Sequence, residues 1–183
     1  MNHDSQEHAS HGMTNHYGKF AAMIITSMVV MYGLMFLNTY ELDHVRFSET
    51  RLYMTLIMGA AMAVIMLSFM RGMYTNARTN LVIYLGALVL FIAALFLVRT
   101  QTLVGDASYM RGMIPHHSIA ILTSENAQIE DVRVRALADE IIDAQRREIA
   151  EMNWLLADIA ANGIAATAED ARARPVPDFG SGS

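Results

Sequence analysis

Residues 81–98 read LVIYLGALVLFIAALFLV, a run of 18 residues without a charge. As a helix rising about 1.5 Å per residue, this run is about 27 Å long, close to the ~30 Å hydrocarbon thickness of a bilayer. The run is therefore predicted to be a membrane-spanning helix.

Two similar runs precede it. Residues 20–37 form an uncharged run of 18 residues and residues 52–70 one of 19, and only short polar loops separate the three. The first run makes a poor signal peptide, because its leader is not basic and no small-residue cleavage site follows it. The sequence thus predicts three helices in a lipid bilayer, at about 20–37, 52–70 and 81–98.

Composition excludes several classes of protein. Apolar residues make up 54% of the 183 residues, and a net charge of −5 argues against a nucleic-acid partner, which would require a basic surface. The lack of cysteine excludes disulfides, thiolate metal sites, iron–sulfur clusters and covalently attached c-type haem. The 15 methionines and 7 histidines, by contrast, are side chains that bind soft or borderline metals.

The distribution of charge suggests an orientation. Residues 1–98 are neutral overall, so the net charge lies in residues 99–183. The second loop carries Arg71 and Arg78 and no acid, which favours the cytoplasm for this loop and for the N-terminal tail. The acidic half would then be periplasmic, with the spans in a bacterial inner (cytoplasmic) membrane.

Four segments are predicted along the chain: a His-rich polar tail without secondary structure (1–19), the three spans (20–98), a helical metal-binding domain (99–162) and a flexible tail (163–183). The His-rich tail, with His3, His8, His11, His16 and Met13, is either a low-affinity metal-collecting arm or a solvated tail.

The helical domain should contain a hairpin. Pro115 is expected to kink or break the helix that leaves the membrane, because it has no N–H and its ring clashes with the carbonyl of Arg111. Helices from about residue 116 to 129 and from about 132 to 161 then follow, the longer one ended by Asn162-Gly163. Two helices bury an apolar stripe poorly, so a homodimer or higher oligomer is expected.

One helical stripe carries candidate metal ligands. At 100° per residue, four side chains fall within about 60° of one another, those of Asp106, Met110, Met113 and His117. Because thioethers suit Cu(I) and imidazole accepts either oxidation state, this set favours copper over zinc. The alternative is that the methionines are packing residues and that the histidine is buried and hydrogen-bonded.

The long helix places polar groups within its apolar stripe. Gln145, Glu148 and Met152 lie at the centre of that stripe. A carboxylate there is costly unless it is paired, hydrogen-bonded or metal-bound. Across the hairpin, His117 and His116 are the nearest candidate partners, so Glu148 is a ligand, an acceptor that orients a ligating imidazole, or half of a structural Glu–His pair.

These motifs resemble a known family. MIPHHxxA at 113–120 and LAxxIIxxQxxEIxxM at 137–152 are similar to motifs of the bacterial domain-of-unknown-function family 305. Its members are described as ferritin-like helical domains, and several are linked to copper binding and copper tolerance outside the cytoplasm. The resemblance covers about residues 102–160 and implies a metal role for Met110, Met113, His116, His117 and Met152, faced by Gln145 and Glu148.

The resemblance has limits. Many members have Met-Ala where this chain has Thr123-Ser124, so this site is one thioether poorer if that methionine is a ligand in them. The paired Glu-x-x-His motifs of di-iron bundles are absent, so ferroxidase chemistry does not follow. The spans are outside the resemblance, and their methionines, at every fourth residue from Met54 to Met70, are better interpreted as packing than as a copper path.

The sequence therefore predicts an all-α protein: three transmembrane helices and a ferritin-like extramembrane hairpin. The predicted function is copper binding by a membrane-anchored protein of metal homeostasis or tolerance. The predicted ligands are Met110, Met113, His116, His117, Glu148 and Met152, with Asp106 and Gln145 behind them. The alternative is a structural or assembly membrane protein with a merely polar His/Glu core. No enzyme activity is predicted, although Glu148 has the chemistry of a general base.

Overall fold

A computed structural model describes the backbone of residues 4–180 and the side chains of residues 16–180. Its regular structure is entirely helical: α1 (Asp4–Leu34), a 3-10 turn (Leu42–His44), α2 (Glu49–Phe69), α3 (Ala77–Thr100), α4 (Asp106–Asn126), α5 (Val132–Asn162) and α6 (Ala168–Ala173). The prediction of an all-α protein is confirmed.

The chain divides into two compact units. The first, here the membrane unit, comprises residues 1–35 and 50–103. The second, here the hairpin unit, comprises residues 36–49 and 104–183. The loop between α1 and α2 therefore belongs to the hairpin unit.

The membrane unit contains three helices long and apolar enough to cross a bilayer. They are His16–Leu34 within α1, Glu49–Phe69 and Ala77–Thr100. Much of their apolar surface points outward, as at Val29 and Val82, each 69% exposed, and lipid would cover such a surface. The three predicted spans are confirmed, with ends that differ by a few residues.

A glycine leaves room for a side chain between the first two membrane helices. Gly59 of α2 faces the Met28 thioether of α1, and a Cβ at residue 59 would collide with it. Near the C-terminal end of α2, Leu67 packs with Phe20 and Ile24 of α1 in a buried apolar cluster. The methionines Met28, Met62, Met66 and Met70 pack against the same cluster.

The first helix begins earlier than expected. The prediction that the polar tail at residues 1–19 lacks secondary structure is wrong from Asp4 onward, because α1 runs from Asp4 to Leu34. No proline interrupts this part of the chain. Once the apolar run has formed a helix, extension by further residues no longer bears the cost of nucleation.

In the hairpin unit, α4 and α5 pack against each other along a shared apolar core. Its buried members are Met110, Ile114 and Ile121 of α4 and Ile142, Ile149 and Met152 of α5. The α5 helix begins at the N-cap Asp131, whose carboxylate accepts a hydrogen bond from Arg133 N–H. It ends at Gly163, whose φ of 78° a glycine adopts without strain.

Of the two predicted effects of Pro115, a kink or a break, the break does not occur. The α4 helix runs through Pro115, and the chain instead breaks after Gln101, whose φ of 53° ends α3. Pro115 is fully buried and lies in sequence between Ile114 and other buried residues of the hairpin core. The burial of Pro115 compensates for the one backbone hydrogen bond that this turn of helix lacks.

The C-terminal segment also folds, so the prediction of a flexible tail at 163–183 is wrong for much of it. Thr167 and Asp170 form a capping box that starts α6. Arg174 then pairs with Asp158 of α5 at 2.5 Å and donates to the carbonyl of Gly163. Hydrophobic periodicity gives no sign of this arrangement because it depends on capping and on one ion pair.

The loop between α1 and α2 is fastened to α4 by a buried serine. Tyr40 N–H donates to Ser118 Oγ at 2.6 Å, and Ser118 Oγ lies 2.9 Å from His44 Nδ1. Since the serine oxygen already accepts from Tyr40, its own proton is available to the histidine nitrogen. Ser108 Oγ also donates to Glu49 Oε1 at 2.7 Å.

Candidate metal centre

An open cavity of ≈ 770 Å³ lies along the hairpin unit, bordered by α4, α5 and the C-terminal segment. Six of the eight predicted site residues line it: Asp106, Met110, Met113, His117, Glu148 and Met152. The two helices thus bring residues from distant parts of the sequence to one surface.

Three thioethers contribute to the cavity wall. Met110 and Met113 lie one turn apart on α4, and Met152 comes from α5. Met110 and Met152 are 6% and 9% exposed, whereas Met113 is half-buried. Their burial also fits packing, since methionine adapts readily to irregular cores.

His117 is held at both ring nitrogens. Nδ1 lies 2.9 Å from the carbonyl oxygen of Met113, and Nε2 lies 2.6 Å from Glu148 Oε2. Because a carbonyl oxygen only accepts, Nδ1 carries a proton. Since Nδ1 is held by the Met113 carbonyl, Nε2 is the ring nitrogen that could bind a metal, in place of its contact with Glu148.

Glu148 is less buried than its helical position suggested. Its side chain is 42% exposed, because this part of the α5 stripe faces the open cavity instead of a closed core. The cost of holding a carboxylate there is correspondingly small. Pairing with the 10% exposed side chain of His117 gives it a fixed orientation.

Negative charge predominates around the cavity. Its carboxylates are those of Asp106, Glu148, Glu151 and Asp158, and Arg174 is the guanidinium that faces them. The hydrogen bond from Asn162, followed by that from Arg174, lowers the pKa of Asp158 below its ordinary value of 3.8, so this carboxylate stays ionised at neutral pH. Such a potential attracts cations.

Two predicted site residues lie elsewhere. His116 is exposed and does not line the cavity, although its ring centroid is 5.9 Å from that of His117. Gln145 is half-buried and also outside the cavity wall. Thr123 and Ser124 do not line it either. Among the described side chains, no three His, Asp or Glu groups are arranged to hold a metal by themselves.

The structure gives no information about a second metal site at the histidines of the N-terminal tail. His3, His8, His11 and Met13 lie outside the residues whose side chains the structure describes. His16 is described and is exposed on α1. A metal-collecting arm stays a prediction.

Sequence reasoning missed several residues of the cavity wall. These are Tyr109, Glu151, Trp154, Leu155, Asp158 and Arg174, among others. At 100° per residue, Glu151 and Asp158 fall within about 80° of Glu148 on α5, so the helical pattern contained a signal for them. The sequence contained no such signal for Arg174, because it reaches the cavity wall only through the fold of the C-terminal segment.

Comparison with known proteins identifies the family. A family model for the domain of unknown function DUF305 matches residues 106–177. The chain is also similar to uncharacterized protein L153 of Acanthamoeba polyphaga mimivirus, with 34% identity over 137 residues, which is 73% of this chain and 88% of that protein. The chain belongs to the DUF305 family. No solved structure matches it.

The extent of the DUF305 match is informative. It begins at Asp106, the first residue of α4, and ends at Pro177, beyond α6. Every residue that lines the cavity lies within this range. The cavity is thus built wholly from the DUF305 domain, including the C-terminal segment.

Proposed function

We propose that this protein is a membrane-anchored copper-binding protein of metal homeostasis or tolerance, with its copper site in the cavity of the DUF305 domain. The observation that carries the proposal is that three methionines and one histidine line the same cavity. Thioether sulfur is a soft ligand that suits Cu(I) and is a poor ligand for zinc.

His117 and Glu148 supply the polar part of the proposed site. The contact between Nδ1 and the Met113 carbonyl fixes the tautomer and directs Nε2 to the cavity. Glu148, whose carboxylate contacts Nε2 in this structure, would become a copper ligand or a hydrogen-bond acceptor beside the ligands once copper binds. The surrounding carboxylates would raise the local concentration of cations.

Copper affinity of the purified full-length chain tests this proposal. Competition with a chelator should give one tight site per chain, lost in His117→Ala and retained in His16→Ala, which removes an exposed histidine of α1. Met110→Leu and Met152→Leu, which nearly conserve volume, should each weaken Cu(I) binding. Unchanged stoichiometry and affinity in His117→Ala would rule the site out.

A structural or assembly role is the second candidate. It is supported by the lack, among the described side chains, of three His, Asp or Glu groups placed around one point, and by the partners that both nitrogens of His117 already have. On this account Glu148 and His117 only fasten the hairpin. Wild-type protein that binds no copper but keeps its fold would favour it.

The orientation and assembly are part of the proposal. We place the hairpin unit in the periplasm of a bacterial inner membrane, because the loop with Arg71 and Arg78 contains no acid. A phosphatase reporter after Gly180 should be active and one in that loop inactive; the reverse pattern would contradict the orientation. Exposed Val134 and Leu137, one turn apart on α5, favour a homodimer through the hairpin unit, testable by light scattering.

A further inference from the structure

Among the described side chains, positive charge without a neighbouring carboxylate marks one end of the membrane unit. Arg71 and Arg78 flank the turn between α2 and α3, and Lys19 of α1 lies at the same end. Tyr17 OH donates to Asn80 Oδ1 at 2.7 Å and accepts from Asn76 N–H at 3.2 Å, which holds the start of the first span beside this turn.

No acid of the described membrane unit balances these cations. Residues 16–35 and 50–103 contain neither Asp nor Glu. An exposed cation cluster of this kind creates a positive potential that an anionic ligand would neutralise.

A cavity of ≈ 450 Å³ lies at this end and gives the charge a defined site. Arg71, Thr75 and Tyr84 are among its lining residues, and Leu81 forms part of its apolar side. Asn80 stiffens the wall, because its Nδ2 donates to the Tyr74 carbonyl at 2.7 Å while its Oδ1 is held by Tyr17.

The position of the cavity indicates the kind of anion. It lies between the end of α2 at Phe69 and the start of α3 at Ala77, where the spans pass from the hydrocarbon to the headgroup layer. Farther along α3, Leu81, Val82 and Leu85 are 58%, 69% and 54% exposed and offer an apolar track for an acyl chain. A ligand with an anionic head and an apolar tail fits both features.

We propose that this cavity binds the phosphate of an anionic phospholipid. The guanidinium of Arg71 is the principal contact, since its N–H groups match phosphate oxygens, and the hydroxyl of Thr75 is a second donor. Lys19 and Arg78 contribute to the positive potential. A zwitterionic phospholipid is disfavoured, because its cationic headgroup would meet these three positive charges.

Native mass spectrometry of the full-length chain in detergent tests the proposal. Wild type should retain phosphatidylglycerol in preference to phosphatidylcholine with the same acyl chains. Arg71→Gln should bind phosphatidylglycerol about fivefold more weakly, the loss expected for one cation at an anionic surface, whereas Arg71→Lys should retain most of the affinity. Arg99→Gln is the matched control, because Arg99 lies at the opposite end of α3.

Three results would overturn the proposal: equal retention of the two lipids by wild type, equal losses in Arg71→Gln and Arg99→Gln, or displacement of the lipid by inorganic phosphate at a similar concentration. The last would assign the site to a free phosphate. Circular dichroism checks the fold of each variant. If Arg71→Gln unfolds, Thr75→Val replaces it, and undiminished selectivity for phosphatidylglycerol in that variant would then refute the site.

Discussion

At the scale of single residues, the contact between His117 and Glu148 is the most informative one in the DUF305 domain. It joins α4 to α5 at 2.6 Å and sits on the wall of the cavity. A partly exposed ion pair contributes little to folding stability, so stability alone does not explain the arrangement. Its place on a cavity wall that also includes three methionines is what gives it chemical interest.

Substitution of Glu148 separates a metal role from a structural one. Glu148→Gln should weaken copper binding and leave the helical fold intact. Glu148→Leu should lower copper affinity by about 10–100-fold if the carboxylate supports the site. It should leave the melting temperature unchanged or raise it, because apolar replacement of an ion pair often costs nothing. Chelator competition measures the affinity, and full affinity in Glu148→Leu would refute the role.

Ser118 is the residue on which the attachment of the first loop depends. It is fully buried and contacts both Tyr40 N–H and His44 Nδ1. Ser118→Ala leaves both groups without this partner, at a cost of about 1–3 kcal/mol for buried polar groups. Hydrogen exchange of the Tyr40 amide should accelerate accordingly. Ser124→Ala, on the same helix, is the control, and an unchanged Tyr40 amide in Ser118→Ala would contradict this account.

At the scale of elements, the C-terminal segment with α6 forms one side of the DUF305 cavity. Ile164, Arg174 and Val176 line it, and the pair between Arg174 and Asp158 holds the segment on α5. The single tryptophan of the chain, Trp154, lies on the same wall and reports on this region.

Acid should release this segment. The pKa of Asp158 is lowered chiefly by the hydrogen bond from Asn162 of α5 and to a smaller extent by Arg174 of the segment. The part due to Arg174 stabilises the folded segment above the ordinary pKa of 3.8 and is lost as the pH falls through the lowered value. Quenching of Trp154 by acrylamide should therefore stay constant from neutral pH to about 4 and rise below that. Arg174→Ala should show high quenching throughout, unlike exposed Arg172→Ala. The same profile in Arg174→Ala as in wild type would contradict the assignment.

The elements differ in how well the sequence predicts them. The spans and α5 are predictable, because an uncharged run and a helical period are local properties of the chain. The continuity of α4 through Pro115, the fold of the C-terminal segment and the anchoring of His44 are not, since each depends on contacts between residues far apart in sequence. For the same reason the stripe on α4 predicted Met110, Met113 and His117, whereas Arg174 was missed.

At the scale of the whole molecule, the sequence order itself constrains the topology. With three spans, the first loop and the C-terminal half emerge on the same side of a bilayer. The assignment of residues 36–49 and 104–183 to one compact unit agrees with that arrangement. The similarity to the mimivirus protein covers more residues than the DUF305 match, so it includes part of the chain before α4.

The most direct test of the central claim is copper K-edge X-ray absorption on the Cu(I)-loaded full-length chain. The protein has no cysteine, so any sulfur bound to copper must be a methionine thioether. We predict a mixed shell of sulfur and nitrogen, in which the nitrogen is lost in His117→Ala and the sulfur is reduced in Met110→Leu and Met152→Leu. A shell of nitrogen and oxygen alone, unchanged in these variants, would contradict a copper site in the DUF305 cavity.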